Sequence, residues 1–368
     1  MRNAKTVLLL AVTLVVAGSI VWYIADKKPL PEAEMQEDEI GADEENSDLL
    51  GPMQQFDVRA AMTKLIEDSG GGSEFDCHQR AHDIGREGYR TLQEEAFRAC
   101  DASCHSGCYH GAMEEFLREE GTAGLAEKIG PLCDTFRTSF GRFECLHGVG
   151  HGVTAYRNFD LPVALGDCDK LSDVFAQTSC YGGVFMENII TGQGVGAGAG
   201  FHATEWLSKT DPHFPCNAID QDRDVQYHCY QMQTSWMLTI YDYDFDRVIQ
   251  ECLNAPEAMI PVCFKSYGRD AAGHTLRDPK RIAALCDKVV KPEEYYEQCV
   301  VGAVNVIIDF WGPGLRDQAS ALCQILSEKG KSVCYTTLAD RIGRLFETTD
   351  EMEVVCGTFE EAYRYLCE

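Results

Sequence analysis

The sequence predicts an all-α fold, an array of disulfide-stapled helical hairpins in either a solenoid or a closed α/α arrangement, and three observations point to it. Most of the 18 cysteines fall into pairs about a dozen positions apart: Cys133/Cys145, Cys168/Cys180, Cys216/Cys229, Cys252/Cys263, Cys286/Cys299, Cys323/Cys334 and Cys356/Cys367. The second cysteines recur with a period of about 35 residues, the mark of stacked helical hairpins. One longer step, from Cys180 to Cys229, marks an insertion. Each second cysteine opens a stretch of helical period, as in CYTTLADRIGRLF from Cys334 or CVVGAVNVIIDFW from Cys299, and each first cysteine closes a short segment such as IAALC at Cys286. A hydrophobic fraction of 45% supplies a substantial core.

In chain order, residues 1–5 are a cytoplasmic N-terminus carrying Arg2 and Lys5. Residues 6–25, Thr6 to Ala25, form an uncharged run of 20, long enough to cross a hydrocarbon core of about 30 Å. The run lacks a small-x-small cleavage site near its end, so it reads as an uncleaved transmembrane signal anchor. Residues 26–54 are an acidic linker: Pro29 to Gln54 holds nine acidic residues and no basic one, a self-repelling tether. The folded part divides into histidine-rich N-terminal repeats, residues 55–215, and a cysteine-paired C-terminal scaffold, residues 216–368.

The export signal decides the cysteine chemistry. Outside the cytoplasm, an even number of regularly spaced cysteines reads as disulfides rather than metal ligands. A crosslink closing a loop of about a dozen residues contributes on the order of 3 kcal/mol, which suits repeats that touch only their neighbours. Cys77, Cys100, Cys104 and Cys108 then pair among themselves in one of three ways. Cys100 with Cys108 and Cys77 with Cys104 is preferred, because Cys108 stands like the second cysteine of the later repeats. As an architecture this resembles disulfide-bridged tetratricopeptide-like repeats, without their characteristic residues or cysteine separation.

Histidine follows another distribution. His78, His82, His105, His110, His147 and His151 lie in the first repeats, whereas the last four repeats hold only His274. Aligning second cysteines sets CYHGAMEEF at Cys108 beside CLHGVGHGV at Cys145 and CYGGVFMEN at Cys180, so His110 and His147 share one repeat position. His82 joins them when AHDIG is matched to LHGVG. The pairs His78/His82, His110/Glu114 and His147/His151 have the spacing that puts two side chains on one helix face. Imidazoles and carboxylates from neighbouring helices suit a transition metal ion such as zinc, iron or copper. Glu115 and Glu187 are candidate catalytic or orienting carboxylates, and the glycine-rich insertion TGQGVGAGAGFHATEW brings His202 and Glu205 as a candidate lid. Polar packing between repeats and a metal-free histidine cluster are the other readings of the same residues.

These features predict a membrane-anchored extracytoplasmic metal-binding protein, a metal-dependent hydrolase or oxidoreductase. The alternative is a non-catalytic interaction scaffold for another exported protein. A formal charge of −27 opposes nucleic acid as a partner. Cys100-Asp-Ala-Ser-Cys104-His105 is one residue too long for a haem-attachment motif, and no Gly-x-Ser-x-Gly, HExxH or EF-hand sequence is present.

Overall fold

The computed structural model describes residues 57–69, 74–101, 103–104, 106–194, 204–219, 222–289, 292–309, 316–346 and 348–367. All belong to one compact unit, Leu49–Glu368. The expected anchor at 6–25, the tether at 26–54, His105 and His202 lie outside the described residues. Among the described residues no helix is long and apolar enough to cross a membrane.

The described residues are 76% helix, with no strand. After α1 (Val58–Ser69) come α2 (Glu74–Leu92), the short α3 (Glu95–Ala99) and α4 (Gly107–Glu120). A short helix followed by a long one then repeats: α5 (Leu125–Cys133) and α6 (Ser139–Tyr156), then α7 (Leu161–Cys168) and α8 (Val174–Gly192). The insertion follows, and its described residues 204–219 make turns ahead of α9 (Arg223–Ile240). Next are α10 (Phe245–Asn254) and α11 (Ile260–His274), α12 (Pro279–Cys286) and α13 (Glu293–Asp309), and α14 (Arg316–Ile325) and α15 (Glu328–Leu345). The series ends with α16 (Thr349–Cys356) and a 3₁₀ turn over Glu361–Cys367.

Four of the short helices, α5, α7, α12 and α16, end on the first cysteine of their pair, as the sequence suggests. The long helices correct the expectation, because they begin before the second cysteine instead of opening on it. Cys263 lies behind Ile260, where α11 starts, and Cys299 lies well behind Glu293, where α13 starts. Local signals explain the earlier starts. Pro261 occupies the first turn of α11, where its missing N–H costs nothing, and Glu293 and Glu294 place negative charge at the N-terminus of α13. Thr138 Oγ1 accepts the Gly141 N–H at 3.0 Å and starts α6, and Asp173 Oδ1 accepts the Ala176 N–H at 2.9 Å and starts α8. The second cysteine therefore sits inside the long helix, facing the end of the short one.

Nine disulfides result. At the N-terminal end Cys77 pairs with Cys104 and Cys100 with Cys108. The hairpin bonds are Cys133–Cys145, Cys168–Cys180, Cys216–Cys229, Cys252–Cys263, Cys286–Cys299, Cys323–Cys334 and Cys356–Cys367. Their Cα–Cα distances run from 5.3 Å at Cys323–Cys334 to 6.0 Å at Cys356–Cys367, inside the range a disulfide bridges. So many crosslinks point to an oxidising, extracytoplasmic environment.

The long helices make one continuous layer. From α2 each packs on the next, through α4, α6, α8, α9, α11 and α13 to α15, and the short helices cover their ends. The series does not run on as an open stack, because α15 packs back against α6. Contacts therefore close on themselves from α6 to α15, while α4 also packs on α6 and α2 on α4.

Candidate metal centre

The candidate site occupies that junction of α2, α4 and α6, with α8 behind it. Backbone proximity sets it up. A Cβ added at Gly111 of α4 would stand 1.9 Å from the His82 carbonyl oxygen of α2, and one at Gly183 of α8 would stand 2.0 Å from the His147 carbonyl oxygen of α6. Only glycine lets these helices cross backbone to backbone, which offsets the roughly 1 kcal/mol that glycine costs inside a helix. Side chains flanking the crossings are thereby pressed together. His82 lies 5.4 Å from His110 between ring centroids, and His110 lies 5.4 Å from His147 and 4.4 Å from His151. His78 stands 4.5 Å from His82 on the same helix. His82, His110, His147 and His151 are buried, and His78 is half-buried.

The ring nitrogens show what the cluster can do. His78 Nδ1 donates to the Cys104 carbonyl at 2.9 Å, and His82 Nδ1 donates to Glu114 Oε1 at 2.8 Å. The Nε2 atoms of these two rings face each other at 3.0 Å. Two lone pairs at that distance repel unless a cation or proton lies between them. His151 Nδ1 is held by Glu187 Oε2 at 2.7 Å, and its Nε2 has no hydrogen-bond partner. Neither nitrogen of the fully buried His110 is hydrogen-bonded, and its Nε2 is 3.7 Å from Glu144 Oε2. Leaving such groups unpaired costs about 1–3 kcal/mol each.

Two groups of three follow, sharing one member. His78, His82 and His110 each present a ligand atom within 4.8 Å of the other two, and so do His110, His147 and His151. No cysteine joins either group: Cys263 and Cys299, like the rest, are spent on crosslinks. Burial, reinforced by the surrounding His151, His82, His147 and His78, holds His110 well below the usual imidazole range. Burial, then His151 and His228, does the same for His147 against the opposing Ser179 carbonyl. Both rings are therefore neutral donors at neutral pH. The donor set fits a transition metal: largely buried imidazoles, with carboxylates fixing the outer nitrogens of His82 and His151 as metal-bound histidines require.

Among the expected carboxylates, Glu114 is buried and divided between His82 and Arg86, whose Nη1 donates to its Oε2 at 2.5 Å. Burial opposes its ionisation, yet His82 and Arg86 hold its pKa at about 2. It is placed to orient His82. Glu187 likewise takes His151 Nδ1 and the Thr191 hydroxyl, the latter at 2.9 Å. Glu115 is engaged instead by Arg90, with Nε to Oε1 at 2.9 Å, and by Arg118. Glu205 is exposed. A cleft of about 260 Å³ lined by Arg223, Tyr227, Lys265 and Gln298 shares no residue with the histidines.

Three residues at the cluster are ones the sequence reading passed over: Glu144, Met186 and His228. Met186 Sδ lies 3.3 Å from His147 Nε2. His228 shares with His147 the space over Gly182, and burial followed by the charge of Lys265 pushes its pKa down to about 4. The cysteine register contained the signal. Glu144 and His228 each stand immediately before a second cysteine, and Met186 occupies the repeat position held by Glu114 and His151.

Replacing Glu187 with alanine removes the acceptor that fixes His151. The expected result is a metal affinity about 10–100-fold lower at unchanged helix content, read by titration against a competing chelator. Unaltered affinity would detach Glu187 from the site. No protein-family model, curated protein or solved structure matches this chain.

Proposed function

We propose that this chain is an extracytoplasmic metal-binding protein, held at the membrane by its apolar run at residues 6–25, in which His78, His82, His110, His147 and His151 hold a transition-metal ion for a metal-dependent reaction. The observation that carries this reading is the convergence of two three-histidine groups on His110, a buried imidazole with neither nitrogen hydrogen-bonded. Polar packing alone accounts poorly for it, because packing would supply those nitrogens with partners, as it supplies the Nδ1 atoms of His78, His82 and His151. The ion would contribute Lewis acidity or redox capacity to a hydrolytic or oxidative reaction. The protein's own residues orient it: Glu114 and Glu187 fix the rings of His82 and His151.

The test is elemental analysis of the oxidised protein, loaded with zinc, copper or iron without chelators. About one equivalent is expected. The His110→Ala/His147→Ala double variant should retain less than about 0.2 equivalents while keeping its helical circular dichroism. A parent protein that itself holds less than about 0.2 equivalents of every metal overturns the proposal. That outcome would favour the alternative, an interaction scaffold for an exported protein, for which His110 and His147 are dispensable.

A further inference from the structure

We infer that Met186 is a ligand of this centre, completing the His110, His147 and His151 group as a three-nitrogen, one-sulfur set that selects copper(I). The inference rests on the metal-binding reading above and adds the identity of the ion. Its first support is distance. An ion bound tetrahedrally by an imidazole nitrogen and a sulfur holds those two atoms about 3.5 Å apart, from bond lengths of about 2.0 and 2.3 Å. His147 Nε2 and Met186 Sδ already stand 3.3 Å apart. The second support is register. Met186 sits six residues after Cys180, as Glu114 follows Cys108 and His151 follows Cys145, so the repeat delivers its side chain to the face that carries the other members of the cluster.

The third support is chemical. A thioether sulfur is a soft donor, and with imidazole it favours copper(I), whereas zinc takes nitrogen, oxygen and thiolate ligands. Thiolates do not compete here, since no cysteine is free. Met186 is half-buried, unlike the core side chains on either side of it, Phe185 and Glu187. A methionine that served only packing would have no need to direct its sulfur at an imidazole nitrogen. The competing account is a weak N–H···S hydrogen bond from His147, and the experiment separates the two.

Full-length oxidised protein is titrated anaerobically with copper(I), supplied as its acetonitrile complex so that no thiol reductant opens the disulfides, against a chromogenic copper(I) chelator. Zinc is titrated in parallel. Met186→Leu should weaken copper(I) binding at least about tenfold and leave zinc binding within about twofold, the retained zinc showing that the variant folds. X-ray absorption of the copper(I) form should show a sulfur neighbour in the parent that is missing in Met186→Leu. Equal copper(I) affinity in parent and variant, with a nitrogen-only copper environment, overturns the assignment of Met186 and leaves the histidine site standing. Equal loss of zinc and copper(I) overturns it too, because Met186 would then act through packing. A parent that binds neither ion fails the underlying metal reading instead.

Discussion

Reduction of the disulfides is expected to unfold the protein. Dithiothreitol in excess should abolish the cooperative thermal transition and most of the helical circular dichroism under conditions where the oxidised form is fully helical. The magnitude follows from the repeat geometry. Each corner bond closes a short loop and contributes on the order of 3 kcal/mol. There are seven such hairpin bonds besides the two at the N-terminal end, whereas a folded domain is typically stable by about 5–15 kcal/mol in total. Removing a few therefore exceeds the margin. Reduced protein that melted cooperatively near the temperature of the oxidised form would show that helix packing, not the corners, carries the fold.

Gly111→Ala is expected to destabilise the protein by at least about 3 kcal/mol and to scatter the histidine cluster, although alanine is the better helix former. The added methyl would lie 1.9 Å from the His82 carbonyl oxygen, and that obstacle is backbone rather than the end of a movable side chain. Helices α2 and α4 must separate, and with them His82 and His110. Gly130 of α5 is the internal control. A Cβ there meets nothing within 4 Å, so Gly130→Ala should be neutral or stabilising by up to about 1 kcal/mol. Urea midpoints of the two variants check the contrast. Similar midpoints would mean that the α2–α4 crossing yields easily, and the glycine would then need another explanation.

Much of this architecture is legible in the cysteines because a disulfide is a distance constraint written in residue identity. The hairpin pairs fix where the short helices stop, as at Cys133 and Cys168. They do not fix where the long helices start: Cys263 and Cys299 mark a point inside α11 and α13, and the true starts depend on capping and first-turn residues such as Thr138, Asp173 and Pro261, whose sequence signal is weak. The histidines are legible for a related reason: His110 and His147 share a repeat position, and repetition turns sequence register into spatial neighbourhood. Glu144, Met186 and His228 also stand at definite register positions, but what each touches there depends on which face of one helix meets the next. Glu114 and Glu115 show the same limit. They are adjacent in sequence, yet the helix turns one toward His82 and the other toward Arg90 and Arg118.

The return of α15 onto α6 changes what the far end of the chain means for the centre. In a linear array, losing a terminal repeat frays the neighbouring one and leaves distant repeats untouched. Here the last long helix shares a boundary with the helix that carries His147 and His151. Truncation at the C-terminus would therefore remove a packing partner of the helix that carries His147 and His151, and under the proposed function an ion bound there would tighten both ends of the circuit at once.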